Sequence, residues 1–383
     1  MRRLSITLFL LMSGFASTML ASPGPQQLQL QTLALPDARG RYPNVVTDMA
    51  GTERLHLSWV TTRGRTDSLW VATREGMTWS RPRVMAAGDN WLLTPVDYPK
   101  LHVGDGLWAH WLERLPNGGY GVRVRAPRPG DSGVYLHDDR SPSEHGFVSS
   151  VPAGRSQYFF WLDGRDFDTR GVTELRARQV AEDGVAQSEV LLDPRVCDCC
   201  MTSAVAAGNV VLVAYRGRDA ANTREIRVAR AVAGKWQASR TISNDGWVLR
   251  GCPMSGPALA QDGRFVALVW KTAPHDTPMV RIAVSSNAGA AFSPTRTFEV
   301  ERSVRQLRTS VVADNILLAW ATETGLQLKL LSRELEILAE TRLRVIGKEP
   351  LFFSTAGYQT GHIVVWNRRD GPLRATVVRL SGP

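Results

Sequence analysis

Residues 256–270 read Gly256-Pro257-Ala258-Leu259-Ala260-Gln261-Asp262-Gly263-Arg264-Phe265-Val266-Ala267-Leu268-Val269-Trp270, and this stretch decides the fold. A short, partly apolar segment runs into an Asp-Gly turn, and an apolar run then ends on a large aromatic. Further on, Val280-Arg281-Ile282-Ala283-Val284 alternates with period two. Short alternating runs punctuated by Gly, Asp and Asn are β-strands joined by tight turns. The unit recurs in both directions along the chain. Its aromatic end is found in Leu57-Ser58-Trp59, Ala109-His110-Trp111, Phe159-Phe160-Trp161, Val213-Ala214-Tyr215, Leu268-Val269-Trp270, Leu318-Ala319-Trp320 and Val364-Val365-Trp366, spaced 46 to 55 residues apart. A fixed period of about 50 residues with four strands each describes a propeller blade. The expected fold is therefore all-β: a β-propeller of four-stranded antiparallel blades, seven by this count. The last repeat has room for only three strands, and the alternating run Gln26–Leu35 is suited to supply the fourth and close the ring from the N-terminus. Arg333–Arg344 also carries helical spacing at Leu335, Leu338 and Arg342, but its place in the repeat assigns it to the outer strands of blade six.

Composition narrows the class. With 43% apolar and 21% charged residues the chain can bury a core, which excludes disorder. Four Cys among 383 residues cannot staple a fold of this size, so the core must hold it. The net charge is +10, but no cationic run exceeds two residues (Arg2-Arg3, Arg368-Arg369). Nucleic-acid binders concentrate charge in a patch or tract, so no nucleic-acid partner is expected.

The first residues have the parts of an export signal: Arg2 and Arg3, an apolar run from Leu4 to Met12, then small residues at Gly14, Ala16 and Ala21. Cleavage is expected after Ala16 or Ala21, leaving residues 22–383 as one propeller domain in the periplasm or outside the cell. No transmembrane segment is expected once residues 1–21 are removed.

The repeat sorts residues onto two faces. One receives the start of every inner strand and the loops between second and third strands; the other receives Gly-rich tight turns. Polar and charged residues collect on the first, including Asp67, Asp97, Arg218, Arg250 and Arg308. Loops carry function on a rigid scaffold, and the axial channel on this face is the expected ligand site.

Two turns on the opposite face resemble the Asp box of sialidase-like propellers, Ser-x-Asp-x-Gly-x-x-Trp. Ser285-Ser286-Asn287-Ala288-Gly289-Ala290-Ala291-Phe292 keeps Ser and Gly, and Gly76-Met77-Thr78-Trp79 keeps the second half. The box needs a Gly free of the Cβ penalty and a short polar side chain bonding back to the backbone. The chain also resembles an exported bacterial subgroup of that superfamily through its Cys-x-Cys-Cys and Gly-Cys-Pro segments. Sialidases have six blades, so six is the alternative count. The resemblance implies three Arg holding a substrate carboxylate, an Asp protonating the leaving oxygen and a Tyr nucleophile. Arg41-Tyr42-Pro43 matches the family's Arg-x-Pro, which gives Arg41 a carboxylate-binding role. Arg218, Arg250 and Arg308 are candidate partners, Asp67 and Asp97 candidate acids, and Tyr215 a candidate nucleophile. The function so implied is recognition, or hydrolysis, of an acidic glycan.

All four Cys lie in two loops, Cys197-Asp198-Cys199-Cys200-Met201 and Gly251-Cys252-Pro253-Met254, with Cys197 and Cys252 each 18 residues before their blade's aromatic. The two loops should therefore touch at the mouths of adjacent blades, bridged by a bond or a shared ion. Three readings stand: structural disulfides, a copper or zinc site of Cys197, Cys199, Cys200 and Cys252 joined by Met201, Met254 or His275, and a redox-active pair. The second and third give the alternative function, a non-catalytic propeller that binds a soft metal or handles redox chemistry at the channel mouth. A plain protein-interaction scaffold is the third function.

Overall fold

The computed structural model of the chain describes residues 27–48, 54–128, 130–304 and 306–381. The export segment 1–21 and Gln26 lie outside the described residues. Seven antiparallel sheets follow one another along the chain. Their inner strands are Arg41–Thr47, Lys100–Gly104, His145–Ala153, Ser203–Ala207, Ala258–Asp262, Leu307–Val312 and Leu351–Tyr358, in blades one to seven. Trp59, Trp111, Trp161, Tyr215, Trp270, Trp320 and Trp366 all lie on second strands. The count is seven, not six.

The N-terminal strand Leu28–Thr32 pairs with Arg374–Leu380 and completes blade seven, with Leu28 opposite Leu380. Ile337–Arg344 is a strand paired to Gly325–Ser332, because period-two burial against blade six outweighs the local helical spacing. In the blade-five turn, Ser285 Oγ accepts from the amide of Gly289 at 2.9 Å and Asn287 Oδ1 from that of Ala291 at 2.9 Å.

The core is a ring of interfaces. Side chains alternate across a strand, so a second strand flanked by two blades must be apolar on both faces. In blade five, Leu268 and Trp270 pack toward blade four while Ala267 and Val269 pack toward blade six. Seven apolar clusters among the described residues each join two neighbouring blades in this way. That is why the aromatic-ended runs read as continuous apolar stretches. No helix among the described residues is long and apolar enough to cross a membrane.

Candidate functional site

The axial mouth on the loop face is spanned by the chain itself. Between blades one and two, Thr94 and Asp97 close a turn, with the Asp97 amide donating to Thr94 Oγ1 at 2.8 Å. This turn reaches blade six: Gln306 Nε2 donates to the Pro95 carbonyl at 3.4 Å, and an Arg308 nitrogen to the Tyr98 hydroxyl at 3.2 Å. Lys100 Nζ stands 4.9 Å from the Tyr98 ring centre, and Tyr42 stacks on Tyr98 at 4.6 Å. The axial cavity, about 840 Å³, is lined by all seven inner strands and by Asp48, Gly263, Ala313 and Gln359 at the opposite face. The axial cavity therefore lies toward the face opposite the loops.

One cleft on the loop face, of about 350 Å³, lies over blades two to four. Tyr120, Glu144, Phe147, Phe167, Asp168 and Asp198 lie on its wall, with Cys199 at one edge. Tyr120 begins the third strand of blade two, and Glu144 directly precedes the inner strand of blade three. The Tyr120 amide donates to the Ser143 carbonyl at 3.1 Å, zipping the two segments together. Gly119 makes this possible: it sits at φ 70°, and a Cβ there would fall 2.3 Å from the Ser143 carbonyl oxygen. The Tyr120 hydroxyl then donates to Glu144 Oε2 at 3.1 Å. Burial, followed by the Glu144 and Asp97 charges, pushes the phenol well above its usual range, so Tyr120 keeps its proton until a base removes it.

Asp97 lies beneath this pair, 2% exposed. Its Oδ2 accepts from the Phe147 amide, and its Oδ1 is buried without a partner. Burial raises the carboxyl to about 6, against the pull of Lys100 and the Phe147 amide. Gly146 permits the approach, since a Cβ there would meet Asp97 Oδ2 at 2.3 Å. Phe147 follows with φ 56°, beside a register shift between Gly146 and Ser149. Irregular backbone of this kind clusters where a site is being shaped.

The residues singled out in the sequence are spread around the rim. Arg41 donates to Asp370 at 3.1 Å and to Thr62 at 3.2 Å, while Thr62 in turn donates to Asp67 at 2.5 Å. Arg41 and Asp67 thus share one network on blades one and seven. Arg308 contacts Tyr98 as described. Arg218 stands 3.6 Å from Asp198 and donates to Asn222 at 3.2 Å. Arg250 is exposed. None of these four Arg lines the cleft. Tyr215 is fully buried between blades three and four and donates to Asp193 at 2.7 Å, so its hydroxyl does not reach the face. Asp97 is held away from solvent under Gly146.

The two Cys loops do touch. Cys199 and Cys252 form a disulfide with Cα atoms 6.1 Å apart. Cys197 and Cys200 are free thiols, both buried, with sulfurs 3.0 Å apart. The sulfurs of Cys197, Cys199 and Cys200 lie within 4.8 Å of one another, and among the described residues no His, Asp or Glu joins them. His275 sits in an exposed turn with φ 50°, and Met254 is half-buried with φ 47°.

The fold is a seven-bladed propeller whose loop-face cleft lies over blades two to four. No family model matches the chain, and no curated protein matches it in sequence. Among solved structures, it is similar to an ulvan lyase of polysaccharide lyase family PL25, at 12% identity and TM-score 0.54 over 91% of this chain and 97% of that one. It is also similar to the polysaccharide lyase Uly1, at 7% identity and TM-score 0.53 over 95% and 94% of the two chains. At such identity the likeness is one of fold.

Proposed function

We propose that the protein is an exported carbohydrate-active propeller that cleaves an acidic glycan in the cleft over blades two to four. The observation that carries this reading is the 3.1 Å bond from the Tyr120 hydroxyl to Glu144 on the wall of that cleft. It is the Tyr–carboxylate pair that sialidase-like chemistry requires, and it lies on the loop face. Glu144 takes the phenolic proton, Tyr120 attacks the anomeric carbon as the glycosidic C–O bond breaks, and water then releases the sugar from Tyr120. Asp168 and Asp198 are the remaining carboxyl groups on the wall and the candidates for protonating the leaving oxygen. These carboxylates would repel an acidic sugar, so its acid group has to be seated beyond the cleft wall, and Lys100 and Arg308 at Tyr98 are the cations offered for it. The lyase folds among the similar structures support a carbohydrate ligand. The N-terminal segment and the disulfide support an oxidising compartment outside the cytoplasm.

Turnover of aryl sialosides, aryl glucuronides and a polyuronate by the wild type, Tyr120→Phe and Glu144→Gln tests the proposal. Each variant is expected to lose on the order of 10²-fold or more in kcat, the range of a lost proton-transfer group. An unsaturated uronate in place of a reducing sugar would reassign the pair to elimination. Variants as active as the wild type, or a wild type active on none of these substrates, would reject the catalytic reading.

A further inference from the structure

The cysteine cluster sits on an unusual electrostatic floor. Arg216 and Arg224 are 1% and 2% exposed. Among the described residues Arg216 donates to the carbonyls of Ser255, Arg224 and Lys271, with Trp247 against its guanidinium. Arg224 donates to those of Leu249 and Gly251. Among the described residues neither has a carboxylate partner. Buried cations without counter-charge are costly, and an anion beside them relieves that cost. The thiols are the anionisable groups at hand. A third cation would add to the repulsion, which speaks against a resident soft metal.

The sulfurs are also arranged for exchange. Cys197 and Cys200 have the Cys-x-x-Cys spacing and a 3.0 Å separation. Cys197 Sγ stands 3.8 Å from Cys199 Sγ, which is bonded to Cys252. Cys197 and Cys200 are buried; Cys199 is half-buried at the edge of the cleft and Cys252 is exposed. The pair is asymmetric in character. The hydrogen bond from Cys200, then that from the Cys199 amide and the charges of Arg216 and Arg224, draws Cys197 down to about 7 against burial. Burial and the neighbouring Cys197 push Cys200 up. A thiolate beside a protonated partner is the arrangement of an attacking and a resolving thiol.

We propose that the four cysteines form a two-electron thiol–disulfide exchange site, in which the buried Cys197–Cys200 dithiol reduces the outward Cys199–Cys252 disulfide. In the first step Cys197 thiolate attacks Cys199 Sγ; the Cys199–Cys252 bond breaks and Cys252 leaves as a thiolate. In the second, Cys200 gives up its proton and attacks Cys197 Sγ, releasing Cys199 as a thiolate. Cys197 and Cys200 end as a disulfide, and Cys199 and Cys252 end as two thiols once protonated. Two electrons and two protons pass from the inner pair to the outer one. The outer pair then stands at the rim of the cleft, open to a disulfide-bearing ligand. This inference does not rest on the glycan reading.

The test is native-state alkylation of the mature protein carrying one disulfide and two thiols, followed by peptide mapping of the bonds. In the wild type, iodoacetamide is expected to trap Cys199 and Cys252 and leave a Cys197–Cys200 disulfide. In Cys200→Ser, which stops the second step, Cys252 is expected to be alkylated at least ten-fold faster than in Cys197→Ser. A Cys199–Cys252 bond that persists in the wild type through prolonged alkylation, with Cys252 unlabelled, would overturn the proposal. So would purification with four thiols and stoichiometric copper or zinc. The wild-type measurement needs no substitution, so a misfolded variant cannot decide the matter.

Discussion

Blades five to seven and blades two to four are built from the same repeat but carry different contents. The tight turn from inner to second strand is common to both: two residues separate Ala153 from Ser156 and Ala207 from Val210, as they separate Asp262 from Phe265, Val312 from Asn315 and Tyr358 from Gly361. In blades five to seven the interfaces are filled with Leu, Val, Ile, Ala and a few aromatics. Around blades two to four the backbone shifts register at Gly146/Ser149 and Thr173/Leu175, and the interior holds Asp97, His145, Asp163, Glu174, Arg178, Asp193, Arg216 and Arg224. Asp163 alone accepts from Trp161 at 2.8 Å and twice from Arg165 at 2.7 Å. One sector supplies apolar closure of the ring, and the other uses that rigidity to hold buried charge beside a cleft. Among the described residues most of the buried charge lies in the sector that holds the cleft, with Asp67 and Arg74 of blade one outside it.

The strongest way to break this contrast is to remove an aromatic from the apolar frame. Trp270 is fully buried, packs in the interface of blades four and five, and donates to Asp245 at 2.9 Å. Trp270→Ala is expected to cost about 3–5 kcal/mol in denaturant unfolding, the range for deleting a large aromatic from a core. A loss below about 1 kcal/mol would mean that the interblade clusters are not the main support of the ring.

Next in size is the covalent tie between the two sectors. Cys199–Cys252 joins the approaches to blades four and five and encloses a separation of 53 residues. In the chain-entropy model a loop of that length is worth about 4 kcal/mol, with measured values commonly lower. Cys252→Ser should therefore lower the unfolding free energy by roughly 2–4 kcal/mol, as should reduction of the wild type. If reduction costs the wild type nothing while Cys252→Ser is destabilised, the serine itself is at fault and the tie is mechanically slack.

The same contrast explains what the sequence discloses. The aromatic beats mark interfaces repeated seven times, so seven weak signals reinforce one another. Ring closure follows from a missing strand and an alternating run near the other end. The cysteine loops could be placed by counting back from two beats. Tyr120 and Glu144 offer no such repetition: they meet across 24 residues and two blades through one segment pairing. Gly118-Gly119-Tyr120-Gly121 was the available signal, since clustered glycines announce a close backbone approach. Tyr215 misleads for the opposite reason. It occupies a beat position, and the repeat itself assigns that position to interblade packing. Arg41 meets its partner Asp370 across 329 residues, a pairing that local spacing does not encode.

The smallest effect, and the sharpest in sign, is the pH dependence of two buried aspartates. Asp97 moves from an ordinary 3.8 to about 6 on folding because burial disfavours its charge. The folded state therefore holds a proton that the unfolded state gives up, and stability falls as pH rises from about 4 through about 6. Asp163 has the reverse sign: burial alone would raise it, but the bonds from Arg165 and His145 hold it well below the usual carboxylate range. Its contribution is complete above the unfolded value near 4 and is lost as pH falls further, so it is constant over pH 5 to 8. Asp97→Asn keeps an acceptor for the Phe147 amide and removes the titration. Relative to the wild type, the variant should gain stability between pH 5 and 7 and level off above, by roughly 1–3 kcal/mol in all. Unfolding free energies of both proteins at pH 5, 6, 7 and 8 measure the difference directly. A difference that stays flat across that range would show that the Asp97 carboxyl is an ordinary one, reached by water beneath the cleft.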